Sequence, residues 1–107
     1  MYRLVFYVPD SYLESVKSAL YSKGAGSIGK YDHCCFQVRG EGEFRPLEGS
    51  NPYIGNTGEV QKAPEIRVEM VCSDERVREA LNALVEAHPY EEPAYSACRI
   101  KTLNDLG

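Results

Sequence analysis

From Glu65 to Cys72 the side chains alternate at a period of two, with Ile66, Val68, Met70 and Cys72 on one side and Glu65, Arg67 and Glu69 on the other. That period belongs to an extended strand, whose successive side chains leave on opposite faces. An alternating strand sits in a sheet with one face covered and one face open, which is the antiparallel habit. The covering layer is equally legible. Leu13, Val16 and Leu20, with Ala19 beside them, recur at helical spacing, as do Val77, Leu81, Leu84 and Val85. Each stretch has a single apolar stripe and so covers one face of a sheet.

The remaining elements fall between these landmarks. Residues 3–8 are β-branched or aromatic at most positions and stop at Pro9, which predicts a first strand. Ser11 and Glu14 have capping-box spacing ahead of the first helix, and Gly24 is placed to close it in the left-handed conformation. A second strand is predicted over 33–39, with Cys34, Phe36 and Val38 on one face. Ser73 is the expected N-cap of the second helix, with Asp74 and Glu75 at the positive end of its dipole. Pro89 ends that helix, and a last strand is predicted over 95–103. The order β-α-β-β-α-β predicts an α+β, ferredoxin-like sandwich. Right-handed crossovers place both helices on one face of the antiparallel sheet. Residues 1–107 are read as one domain.

A net charge of −4 argues against a nucleic-acid partner, which would require a basic face. The longest apolar run, Leu4 to Val8, is far short of the roughly 20 residues of a membrane span. It is also too short for a signal-peptide core, so a cytoplasmic location is expected. Cys34, Cys35, Cys72 and Cys98 lack zinc-ribbon or C-x-x-C spacing and are expected to be reduced and mostly buried.

Two stretches remain outside the regular elements. Gly24-Ala25-Gly26-Ser27-Ile28-Gly29 has the form of a dinucleotide fingerprint, but it follows a helix and precedes a strand, the reverse of the required context. It is read as a turn. Residues 40–64 contain five glycines and three prolines together with Phe44, Tyr53 and Ile54. Loops of this length are usually functional or disordered, and the aromatics argue against disorder. A protruding, partly ordered flap is expected.

Chemistry concentrates in His88-Pro89-Tyr90-Glu91-Glu92-Pro93-Ala94-Tyr95, which joins an imidazole and two carboxylates at an element boundary. His33 lies beside Cys34 and Cys35. Imidazole and carboxylate donors suit zinc or a similar divalent ion, so His33, His88, Glu91, Glu92 and Glu65 are the candidate metal ligands, with Glu69 secondary. The alternative for each histidine is a structural hydrogen-bonding role. Adjacent Glu91 and Glu92 diverge in an extended chain and make a poor acid–base pair, and no catalytic set is expected. Glu65, Arg67 and Glu69, with Tyr7 or its neighbours, share the face away from the helices, a candidate subunit interface if not a solvated surface.

Several segments together carry a resemblance: residues 24–36, Gly42-Glu43-Phe44-Arg45-Pro46, Asn51-Pro52-Tyr53-Ile54-Gly55, residues 65–69 and the His88 segment. Over nearly the whole chain they closely resemble the domain inserted in YqfO proteins, bacterial members of the Nif-three-like family. The His-Pro-Tyr-Glu element is also similar to one in CutA, the divalent-cation tolerance proteins. Ser96 departs from the pattern, which commonly has Asp there. The resemblance implies a CutA/PII-like fold and a homo-oligomer, with a trimer favoured. In PII proteins small molecules are sensed near the long loop, so the flap, with Arg45, Asn51 and Tyr53, is the implied ligand-binding element. The family's two-metal site and hydrolase activity lie in flanking domains, so no catalytic residue carries over. The expectation is a small oligomeric binding or regulatory module for a divalent metal or small ligand. The rivals are a purely structural interaction domain and, last, a metal-dependent hydrolase.

Overall fold

The computed structural model describes residues 1–107. Its strands are β1 (Tyr2–Val8), β2 (Phe36–Phe44), β3 (Gln61–Cys72) and β4 (Tyr95–Arg99), and its helices are α1 (Leu13–Ser22) and α2 (Val77–Ala87). The sheet order is β2-β3-β1-β4 and every pairing is antiparallel. This is the β-α-β-β-α-β sandwich anticipated from the alternating and helical periods. Leu4, Phe6 and Val8 from β1 meet Ile66, Val68, Met70 and Cys72 from β3 beneath Leu13, Val16 and Leu20 of α1 and Ala80 and Leu84 of α2. The core therefore lies over the two central strands.

Local chemistry explains the helix ends, though not always through the expected groups. Pro9 is extended, and its carbonyl accepts the Tyr12 amide (3.0 Å) to start a 3-10 turn over Asp10–Tyr12. That turn delivers the chain into α1 with Tyr12 at the N-cap and no side-chain cap, so the Ser11–Glu14 capping box does not form. Ser73 likewise acts through its carbonyl, which accepts the amides of Arg76 and Val77, and Arg76 takes the N-cap position of α2. The C-terminus of α1 behaves as expected. Gly24 sits at φ +91°, where its amide bonds the Tyr21 carbonyl and the Ala25 amide that of Leu20. At the end of α2, His88 is extended (ψ 138°), as a residue before proline prefers.

Several expected boundaries move. In α2 the buried residues are Ala80, Ala83 and Leu84, with Val77 and Leu81 partly buried and Val85 42% exposed. Small alanines let the helix sit close to its neighbours, and Val85 falls outside the stripe assigned from hydrophobicity. Strand β4 ends at Arg99, beyond which Thr102 and Asp105 form a capping box around a 3-10 turn. Only Cys72 is buried; Cys34 and Cys35 are partly exposed and precede β2, and Cys98 is exposed.

The largest difference is in the flap. Residues 40–44 pair with 61–65, so the expected loop is partly a β2–β3 ribbon with residues 45–60 at its tip. The molecule measures 51 × 26 × 23 Å along its principal axes. A ribbon largely uncovered by helices has little need of apolar alternation, and alternation was the signal available. On β2 the paired residues place Phe36 beside Glu69 and Val38 beside Arg67, on the face away from the helices.

Candidate functional site

At the end of β1 the His88 ring is buried, and its environment dictates its tautomer. Nε2 lies 2.7 Å from the Tyr7 carbonyl, which can only accept, and Nδ1 lies 3.2 Å from the Tyr90 amide, which can only donate. Nε2 therefore carries the proton. Burial lowers the pKa of the imidazole from 6.5, against a smaller opposing effect of the Tyr7 hydrogen bond. His88 thus links the turn after α2 to the central strand.

That link positions Tyr90, whose ring packs at a tilt against the His88 ring, 4.9 Å between centroids. From there Tyr90 meets two flap aromatics, Phe44 at 6.1 Å and Tyr53 at 6.0 Å between ring centroids. Tyr53 also packs edge-on against Tyr12, whose hydroxyl raises the Tyr53 pKa. Between these rings lies a pocket of about 380 Å³. Its walls include Phe44, Pro46, Leu47 and Ile54 from the hairpin, Glu65 from β3, and Tyr90, Glu91, Glu92 and Ala94 from the segment before β4.

Two features of the pocket are built by backbone geometry. A Cβ on Gly42 would fall 1.4 Å from Glu65 Oε1, so the glycine leaves the space that the Glu65 carboxylate occupies. Burial raises the pKa of Glu65 above 4.5. The Tyr90 hydroxyl is buried without a hydrogen-bond partner. Burial raises its pKa first, followed by the nearby charge of Glu65. The second feature is a tether, in which the Asn51 amide donates to Glu91 Oε1 at 2.8 Å and holds the tip of the hairpin on the pre-β4 segment. Replacing Glu91 with alanine is expected to speed hydrogen exchange of the Asn51 amide at least tenfold while leaving β1 and β3 amides unchanged, measured by NMR at neutral pH.

The residues proposed from sequence divide accordingly. Arg45, Tyr53, Glu65, Glu91 and Glu92 all line the pocket, and Asn51 borders it through its amide. His33 does not approach it. Its ring packs on Tyr21 at 4.3 Å and Nδ1 lies 3.2 Å from Asp32 Oδ1. The loop carrying His33 is anchored where Gly26 bonds the Val71 carbonyl, whereas His88 bonds Tyr7, whose partner on β3 is Arg67. Val71 and Arg67 are roughly 14 Å apart at strand rise, so the two imidazoles sit toward opposite ends of the sheet.

Within one chain, then, the set His33, His88, Glu91, Glu92 and Glu65 does not close around an ion. Both ring nitrogens of His88 are engaged by the backbone, and no three His, Cys, Asp or Glu side chains are grouped to hold a metal. Glu69 is paired with Arg67 at 2.8 Å on the open sheet face. What the sequence did not single out was Tyr90 and Phe44 as pocket walls. Both were visible as aromatics in unusual segments, but their meeting depends on the ribbon folding over the His88 turn.

No protein-family model matches the chain. Proteins named GTP cyclohydrolase 1 type 2 homolog do. The Bacillus subtilis protein is 45% identical over 93 residues, 87% of this chain and 25% of its own length. The Mycobacterium tuberculosis protein is 45% identical over 91 residues, 85% of this chain and 24% of its own. The chain thus spans about a quarter of the length of the curated relatives it matches. Among solved structures, a Bacillus cereus protein related to NIF3 superposes with a TM-score of 0.81 at 37% identity, covering 94% of this chain and 26% of that one. The periplasmic divalent cation tolerance protein CutA from Archaeoglobus fulgidus shares the fold, with a TM-score of 0.68 at 18% identity over 95% of this chain and 86% of its own.

Proposed function

This chain is homologous to the CutA-like domain of NIF3-related proteins, and on that premise we propose that it is a small oligomeric binding module whose ligand occupies the pocket under the β2–β3 hairpin. The observation that carries this reading is the convergence of three separate segments on one concave space. The hairpin tip, β3 and the pre-β4 turn each contribute side chains, and the Asn51–Glu91 hydrogen bond and the packing of Tyr53 on Tyr12 and Tyr90 tie the tip down. A ligand bridging Tyr53 on the tip and Tyr90 on the turn would favour the closed arrangement, because it binds that arrangement better than an open one. Such coupling is what a regulatory module requires. The small molecule replaces the divalent ion as the preferred ligand, since the pocket gathers aromatic walls rather than a coordination shell.

The test is an NMR titration of the full chain with a panel of cationic, neutral and anionic metabolite-sized molecules. At least one is expected to shift resonances of Phe44, Ile54 and Tyr90 saturably, while those of the α1 face stay fixed. A panel that moves none of them would remove this reading.

The oligomer we propose is a homotrimer formed through the open sheet face. Tyr7, Phe36 and Val38 are 37%, 66% and 49% exposed on that face, beside the Arg67–Glu69 pair. Aromatic and aliphatic groups around a satisfied ion pair fit the centre of a subunit contact better than a solvated surface.

A further inference from the structure

Tyr90 and Glu65 line the same pocket, and the Tyr90 hydroxyl has no hydrogen-bond partner. The Glu65 carboxylate is only partly buried, and burial raises its pKa. A buried polar group left unpaired costs about 1–3 kcal/mol, and proteins seldom retain one without use. Around them stand the rings of Phe44, Tyr53 and Tyr90, with Tyr90 about equally distant from the other two. Ring faces carry partial negative charge and attract cations within about 6 Å of the centroid. The lining also holds four carboxylates (Glu43, Glu65, Glu91 and Glu92) against one guanidinium, Arg45, a formal balance of −3. Glu91 is already engaged by the Asn51 amide, which leaves Glu65 as the carboxylate whose charge acts on Tyr90.

We propose that the pocket selects an organic cation, an alkylammonium or guanidinium group seated among Phe44, Tyr53 and Tyr90 with Glu65 as its counter-charge. This rests on the pocket being a ligand site, and it specifies the chemistry of that ligand. The N–H groups of the cation donate to Glu65, while its charge rests against the ring faces. An anion would instead meet the excess of carboxylates, with Arg45 alone to offset them. A bare divalent ion would find no group of three ligands.

Agmatine, spermidine, ATP and citrate, titrated separately into the full chain at low ionic strength and followed by NMR, distinguish the possibilities. Agmatine or spermidine is expected to shift the Phe44, Tyr53 and Tyr90 ring resonances saturably. Glu65→Gln is expected to weaken that binding about tenfold or more, the size of one charge-assisted hydrogen bond. Glu75→Gln, which removes the same charge from an exposed site ahead of α2, is expected to leave it within about twofold. Equal losses in the two variants would reduce the effect to net charge and overturn the proposal. Shifts caused by ATP or citrate and not by the cations would overturn the ligand class while leaving the pocket as a ligand site. Silence from all four probes would overturn both. Gly42→Ala supplies an independent check, since its methyl group displaces the Glu65 carboxylate; undiminished agmatine binding in that variant would also count against the proposal.

Discussion

An alanine at His88 is expected to destabilise the chain by about 2–6 kcal/mol, because it leaves the Tyr7 carbonyl and the Tyr90 amide without partners at about 1–3 kcal/mol each. Both groups bond the imidazole where the α2 turn meets β1. Urea unfolding at pH 8 and fixed protein concentration measures the loss; a change below about 1 kcal/mol would mean that water or a rearranged turn replaces the ring. His88 also imposes a pH signature. Its folded pKa lies below 6.5 because burial disfavours the charged ring. The unfolded chain therefore binds the proton more readily, and stability is fully present above pH 6.5 and is lost as pH falls toward the depressed folded value. His88→Ala should abolish that limb. Glu65 has the opposite sign: its carboxyl is raised above 4.5, so its contribution is present below that pH and lost as pH rises through the folded value. Comparing wild type with His88→Ala and Glu65→Gln separates the two slopes.

The second large effect is on assembly. Carboxylates introduced together at Phe36 and Val38 (Phe36→Asp, Val38→Asp) are expected to convert the proposed trimer to a 12.0 kDa monomer in light scattering at micromolar concentration. A buried Phe or Val contributes about 1.5–3 kcal/mol, and an unpaired charge in its place adds a desolvation cost at every copy of the contact. Both side chains are exposed in the single chain, so the variant should keep its fold and its unfolding cooperativity. A wild-type protein that is already monomeric, or a variant whose mass does not change, would exclude this face as the contact. The pocket lies on the hairpin and the His88 turn, so retention of ligand shifts in the dissociated variant would show that one chain suffices to build it.

Much of this architecture is legible in the sequence. Alternation through Ile66, Val68, Met70 and Cys72 fixes which face of β3 is buried, and Leu13, Val16 and Leu20 do the same for α1, because burial acts on every second or every third to fourth residue. Gly24 could be assigned to a helix end because few other residues tolerate φ +91°. The caps were less accessible. Ser11 and Ser73 have the right chemistry, yet backbone carbonyls of Pro9 and Ser73 supply the partners, a choice made by the path of the chain. The β2–β3 ribbon was hidden for a related reason: its backbone hydrogen bonds do not depend on side-chain identity, and glycines at 40 and 42 disguise the strand.

The metal hypothesis shows the same boundary at the level of chemistry. His33 and His88 each stand near carboxylates or thiols in the chain, and composition makes both candidate ligands. Only the folded chain decides that one ring is occupied twice by backbone while the other rests on Tyr21 at the far end of the sheet.

By itself the sequence determined the layer architecture, the order of elements and the segments in which binding chemistry is concentrated, because local periodicity and backbone restrictions are written residue by residue. The tertiary structure alone decided that Phe44 and Tyr53 of the hairpin meet Tyr90, and that Glu65 fits over Gly42. It also set His88 as a backbone bridge. Those relations join residues far apart in the chain, through packing that no local pattern encodes.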